Sequence, residues 1–148
     1  MKEKDKELLI KDLSVRVFYG IKVNIEKDYP NNPQVVERVA KDGEIIVDGI
    51  RAYDIYYYKP YLRPMSSMTE EEREEVEIFI SGEWYEQDAS KVDKEGYIEI
   101  LANYDVSGIE PLFCSVYVDW LNAHHFDYRG LIEKGLALEA PKGMYKTE

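Results

Sequence analysis

Residues 59–75, KPYLRPMSSMTEEEREE, mark the point where the chain changes from a strand period to a helix period. Pro60 and Pro64 have no N–H to give to a ladder, so strand pairing is predicted to stop at this stretch. Thr69 is a good helix N-cap, and Glu72 stands three residues on, which is the spacing of a capping box. The carboxylates of Glu70, Glu71 and Glu72 also fall where the helix dipole favours negative charge. The spacing predicts a helix over 70–80 that breaks at Ser81-Gly82. Val76, Phe79 and Ile80 form its apolar stripe, leaving a strongly acidic outer face.

Upstream, the pattern reads as strands. Residues 13–18, LSVRVF, alternate apolar and polar, and IKVNIE repeats the alternation with Ile21, Val23 and Ile25 on one face. Tyr19-Gly20 between them reads as a bend. Asp28 to Pro33, DYPNNP, is turn chemistry throughout, and QVVERVAKDGEIIVDGI reads as a hairpin closed by Asp42-Gly43. Asp48-Gly49 suggests another tight bend before a last strand, RAYDIYYYKPY. Short strands at this spacing predict a small, strongly curved barrel. Downstream, Tyr97 to Ala102 reads as a strand after Glu95-Gly96. Pro111 suits a first helical turn, and Leu112, Phe113, Val116, Tyr117, Trp120, Leu121 and His124 recur at helical spacing up to about His125. Asp127 to Lys134 reads as a further short helix stopped by Gly135, followed by extended LALEA. The expected fold is α+β in a single domain. It comprises a small curved N-terminal β-barrel resembling the Src-homology type over 8–62 and a capped acidic helix over 66–82. A strand region and C-terminal helices, packed on the barrel, follow over 83–148.

The 148 residues suffice for one buried core, and 45% of them are hydrophobic, which excludes a disordered chain. One cysteine, Cys114, excludes an internal disulfide and the multi-cysteine zinc sites. The start, MKEKDKELLIKDL, lacks a signal-peptide apolar run and no window approaches a membrane span, so a cytoplasmic protein is expected. The net charge of −11 is concentrated: residues 61–110 hold four basic and fourteen acidic side chains, whereas residues 1–60 hold eleven of each. Such a surface repels phosphate backbones, so direct nucleic-acid binding is not expected, while a protein partner with a basic surface is.

Two blocks, KPYLRPMSSMTEEE and DWLNAHHFDYRGLIEKGLALEA, resemble the signature blocks of an uncharacterised protein family of gut Bacteroidales genomes, prophages and phages. VRVFYGIKVNI resembles that family's opening strands. The resemblance covers roughly a quarter of the chain. It implies phage or mobile-element provenance and an intracellular location in the bacterial host. It carries over no activity and no catalytic residue.

Candidate chemistry is sparse. His124 and His125 lie beside Asp127 and Arg129, which invites a catalytic reading. Adjacent histidines at a helix end point in different directions, however, and no second ligand cluster accompanies them, so no metal or cofactor is expected. Cys114 and His124 are ten residues apart on one predicted helix, roughly 15 Å along its axis, too far to act together within it. Arg129 with Gly130 reads as a structural clasp, or as an anion contact, and Arg63 takes the same two readings. Tyr53, Tyr56, Tyr57, Tyr58 and Tyr61 cannot all share one face of a strand, so at least one should reach solvent, where tyrosine serves partner surfaces well. The expected binding residues are therefore Tyr56, Tyr58, Tyr61 and Arg63, together with Glu70, Glu71, Glu74 and Glu75 on the acidic helix. The expected function is a non-enzymatic phage or prophage accessory protein that binds another protein. Three alternatives stand beside it: an acidic nucleic-acid mimic that inhibits a host defence protein, an enzyme centred on HHFDYR, and a virion component.

Overall fold

A computed structural model describes residues 1–76 and 111–145, with the side chains of 111–114 outside the description. It is α+β. The chain divides into two compact units, one built from Met1–Met65 with Asn122–Glu148, the other from Ser66–Leu121.

The first unit opens with a helix, α1 (Glu3–Arg16), where the alternation of LSVRVF predicts a strand. The competing signal is the four-residue spacing. Leu9 and Leu13 are fully buried, as are Asp12 and Arg16, so these positions share one helical face. Val15 and Phe18, which the strand reading would bury in part, are exposed. A 3-10 turn (Val17–Tyr19) then leads through Gly20 into β1 (Lys22–Ile25), whose Val23 and Ile25 are buried as the alternation predicts.

Asp28 to Pro33 is not simply a turn. After a tight reversal at residues 26–28 it forms most of β2 (Tyr29–Val35), antiparallel to β1. Its prolines are tolerable because β2 pairs only with β1 and so lies at the sheet edge. The Asp42-Gly43 hairpin forms as predicted, with β3 (Arg38–Val39) antiparallel to β4 (Ile45–Ile46), and β5 (Ala52–Tyr53) pairs with β4 beyond the Asp48-Gly49 bend. Gly43 has a φ of +90°, and a Cβ there would sit 2.9 Å from Ile55 Cδ1 and 3.1 Å from Ile10 Cγ1, so both conformation and space require glycine.

The tyrosine-rich run is not one strand. Asp54 accepts a bond from the Tyr56 N–H and so nucleates a 3-10 turn (Ile55–Tyr57) that separates β5 from β6 (Lys59–Pro64). The prolines of β6 do not end pairing, contrary to expectation. β6 pairs antiparallel with β1 through residues 59 and 60, and in parallel with β8 (Leu138–Glu139) and β7 (Phe126–Asp127) further along. β8 engages only Tyr61 and Leu62, so neither proline has to supply a hydrogen to it. The strands make a five-stranded sheet, in which β6 joins β1, β7 and β8, and a separate three-stranded sheet, β3-β4-β5. Both are open. No closed barrel exists among the described residues, and residues 8–16 of the expected barrel are helical.

Between β7 and β8 the chain makes successive turns rather than the expected helix over 127–134. Asp127 caps them by accepting from the N–H groups of Leu131 (2.9 Å) and Ile132 (3.0 Å). Leu131, Leu136 and Ala137 are thereby buried in the same core as Leu9, Leu13, Ile21, Val23, Ile45, Ile55 and Leu62. Each leucine, isoleucine or valine of this set contributes about 1.5–3 kcal/mol by leaving water, and Ala137 less than about 1 kcal/mol.

In the second unit, Thr69 caps a helix, α2, that begins at residue 70 and is described to residue 76. The reciprocal capping box is complete: Thr69 Oγ1 accepts from the Glu72 N–H at 3.1 Å, and Glu72 Oε1 accepts from the Thr69 N–H at 3.1 Å. Thr69→Ala is expected to lower the stability of this unit by about 1 kcal/mol, measurable as faster amide exchange in the first turn of α2. A second helix, α3 (Pro111–Ala123), starts at the predicted proline, buries Tyr117, Trp120 and Leu121, and ends two residues before His125. The expected continuation of α2 to Ile80, its break at Ser81-Gly82 and the strand Tyr97–Ala102 lie outside the described residues.

Candidate functional site

The segment that invites a catalytic reading, His124 to Arg129, lies in the first unit, and the side chains of His125, Asp127, Tyr128 and Arg129 make structural contacts. His125 is 3% exposed and sits at φ +61°, a left-handed conformation uncommon outside glycine, in which asparagine, aspartate and histidine are the enriched exceptions. Its Nε2 lies 2.9 Å from the Tyr19 carbonyl oxygen. A carbonyl only accepts, so Nε2 carries the hydrogen and Nδ1 is bare, and Nδ1 has no hydrogen-bond partner. Burial first, then the nearby Arg16 guanidinium, push the His125 pKa down to about 4. A ring held neutral and away from solvent is poorly placed to move protons for a substrate. His124 is half-buried, and Asp127 spends both carboxylate oxygens on the turn after β7.

Arg129 completes a buried ion cluster that the sequence reading did not find. Asp12, fully buried on α1, accepts from Arg16 Nε at 2.9 Å and from Arg129 Nη1 at 2.7 Å. Arg16 Nη2 also donates to the Phe126 carbonyl at 2.5 Å, and both guanidiniums lie against the Tyr128 ring. The Tyr128 hydroxyl in turn donates to Asn122 Oδ1 at 2.8 Å. One carboxylate thus joins the end of α1 to a segment more than a hundred residues away. The Asp12/Arg16 spacing was readable as an i,i+4 helical ion pair once α1 is recognised, but the partner Arg129 was not.

The tyrosines divide between core and surface. Tyr58 is buried and its hydroxyl donates to the Gly43 carbonyl at 2.5 Å. Tyr61 and Arg63 are half-buried on β6, with the Arg63 guanidinium 4.2 Å from the centre of the Phe126 ring. Tyr56 and Tyr57, on the 3-10 turn, are 63% and 52% exposed. They stand on a cleft of about 480 Å³ floored by Ile55, Leu136 and Leu138 and edged by Asn24, Glu26 and Lys59. Tyr57 also borders a second, more polar cleft of about 430 Å³ with Asp28, Glu44, Arg51 and Asp54. Lys27 Nζ lies 5.1 Å from the centre of its ring. A surface clasp stands beside the second cleft: Tyr29 donates to Asp48 at 2.6 Å, Tyr53 donates to Asp28 at 2.7 Å, and Arg51 lies within 4 Å of both carboxylates. The bond to Asp48 raises the Tyr29 pKa to about 12, so that hydroxyl stays protonated.

In the second unit, Glu70, Glu71, Glu74 and Glu75 are exposed on α2, while Glu72 is buried by its capping role. The side chain of Cys114 lies outside the described residues. Among the described residues no three His, Cys, Asp or Glu side chains gather closely enough to hold a metal ion, and no helix is long and apolar enough to cross a membrane. Comparison with protein-family models, curated proteins and solved structures returned no match.

Proposed function

We propose that this chain is a binding protein without catalytic chemistry, a phage or prophage accessory factor that recognises a protein partner through the Tyr56–Tyr57 turn. The observation that carries the reading is the pair of exposed tyrosine rings set at the edge of an apolar-floored cleft. Tyrosine gives large contact area at low conformational cost and keeps a hydroxyl for polar contacts, which is why it dominates binding hot spots. The structural commitments of His125, Asp127 and Arg129 support the same reading, since they leave HHFDYR little to offer a substrate. Tyr56→Ala/Tyr57→Ala is expected to weaken the captured partner at least about 30-fold without changing the melting temperature, because both side chains lie largely outside the core. Capture from a Bacteroidales host lysate, followed by titration of the recovered protein, tests this. Retention at full affinity by the double variant would overturn the tyrosine surface.

The second reading, a mimic of nucleic acid acting on a host defence protein, draws on the exposed carboxylates of α2. It predicts that charge reversal at Glu70, Glu71, Glu74 and Glu75 abolishes capture while Tyr56→Ala does not. It also predicts that affinity falls steeply with salt.

A further inference from the structure

We propose that the hollow occupied by Tyr145 is a recognition slot for a phenol ring, and that residues 141–145 form a removable strap that fills it from within the same chain. The slot lies where two strands part. β1 and β6 pair in the register Val23↔Pro60 and Asn24↔Lys59, so Lys22 comes opposite Tyr61. The β1–β6 register ends at Val23↔Pro60, one position short of that pair. The Tyr145 hydroxyl stands between them, accepting from the Lys22 N–H at 2.9 Å and donating to the Tyr61 carbonyl at 2.8 Å. One hydroxyl thereby bridges the two strands, pairing a backbone donor on one with a backbone acceptor on the other.

The ring is half-buried. It lies on the His125 imidazole with centroids 4.0 Å apart and planes tilted by 32°, and it packs against the core of the first unit. His125 is itself fixed by the Tyr19 carbonyl, so the floor of the slot does not depend on the strap. Burial raises the Tyr145 pKa, which keeps the hydroxyl a donor across the physiological range.

The rest of the strap is held lightly. Pro141, Lys142 and Gly143 are exposed, the Met144 N–H bonds locally to the Pro141 carbonyl, and Lys22 Nζ reaches the Met144 carbonyl only at 3.5 Å. A segment anchored by one side chain in a site built by other elements is an intramolecular ligand. The same site is open to a free phenol once that side chain is gone. A site that hydrogen-bonds a hydroxyl on both sides discriminates against the ring that lacks it, because the Lys22 N–H and Tyr61 carbonyl are then left unpaired.

The test removes the side chain and supplies its ring from solution. Thermal unfolding of the intact protein and of Tyr145→Gly is followed with p-cresol, with toluene and with neither. The variant is expected to melt lower than the intact protein and to recover by about 4 °C in millimolar p-cresol, with less than half that shift in toluene and none in the intact protein. Equal shifts with p-cresol and toluene, or an equal p-cresol shift in the intact protein, would overturn the slot. If Tyr145→Gly does not fold, Tyr145→Phe keeps the ring, and amide exchange at Lys22 is expected to accelerate at least about tenfold while Val23 is unchanged. Unaltered exchange at Lys22 would equally overturn the proposal.

Discussion

Asp12→Asn is expected to destabilise the first unit by about 3–5 kcal/mol, the largest effect of any single substitution considered for this protein. The carboxylate is the shared counter-charge of two guanidiniums, at 2.9 Å from Arg16 and 2.7 Å from Arg129, and both Asp12 and Arg16 are fully buried. An asparagine of the same shape keeps one acceptor oxygen, enough for one guanidinium, but it removes the charge and turns an NH2 donor towards the other, so both cations lose their counter-charge. Urea unfolding followed by tyrosine circular dichroism should show the midpoint falling by about 2 M. The compensated variant Asp12→Leu/Arg16→Met is expected to regain at least half of the loss, because exchanging a whole buried ion pair for apolar volume costs far less than breaking it. Arg129, 16% exposed, can then turn to solvent. A loss below about 1 kcal/mol in Asp12→Asn would show that water already reaches the cluster.

The second large effect is a loss of stability in mild acid. His125 has its pKa pushed from 6.5 to about 4 by burial and by the Arg16 charge. Between those two values the unfolded chain binds a proton that the folded chain refuses, so stability rises with pH across the window. The contribution is complete above about pH 6.5 and falls away towards pH 4, below which both states are protonated and the slope vanishes. A shift of this size corresponds to about 3 kcal/mol. Carboxylates begin to titrate at the lower end of the same range, so the difference between the intact protein and His125→Asn isolates the histidine. Asparagine tolerates the left-handed backbone at this position and does not titrate. Parallel pH profiles for the two proteins between pH 4.5 and 6.5 would contradict a neutral, buried His125.

The parts of this fold that sequence discloses are those decided within a few residues. The Thr69–Glu72 box, the Asp42-Gly43 turn and the helical stripe of α3 each depend on neighbours in the chain, and each is found where its local chemistry places it. α1 was misread because Leu13, Val15 and Val17 satisfy a strand period while Leu9 and Leu13, with Asp12 and Arg16, satisfy a helical one. Only burial of the second set decides between them. The prolines of β2 and β6 were read as breakers because a lone sequence does not say which strand is an edge or which residues a neighbour engages. β7 and β8 are two-residue strands whose pairing with β6 spans more than sixty positions, and no periodicity can announce so short an element. The candidate site followed the same division. Of the tyrosines expected at a binding surface, Tyr56 is exposed, Tyr58 is buried and Tyr61 half-buried, while Tyr57, outside that set, is exposed beside Tyr56 on a 3-10 turn instead of a strand. The i,i+4 pair Asp12–Arg16 is legible only once α1 is a helix, and Arg129 and Tyr145 give no local signal, because their partners stand more than eighty residues away.

The first unit is assembled from residues on both sides of the second, and this sets an order of events during synthesis. Residues 1–65 leave the ribosome carrying the sequences of α1, β1 and β6, yet the groups that seal their apolar faces and supply the second cation at Asp12 have not been translated. Phe126, Leu131, Leu136 and Ala137 supply the missing surface, and Arg129 the missing charge. Until they arrive, the nascent chain presents an incomplete core and unpaired strand edges, the state most exposed to chaperones and to aggregation. The core of the first unit can therefore be completed only after residues 122–145 have been translated, so the time spent translating the second unit is how long the first must wait.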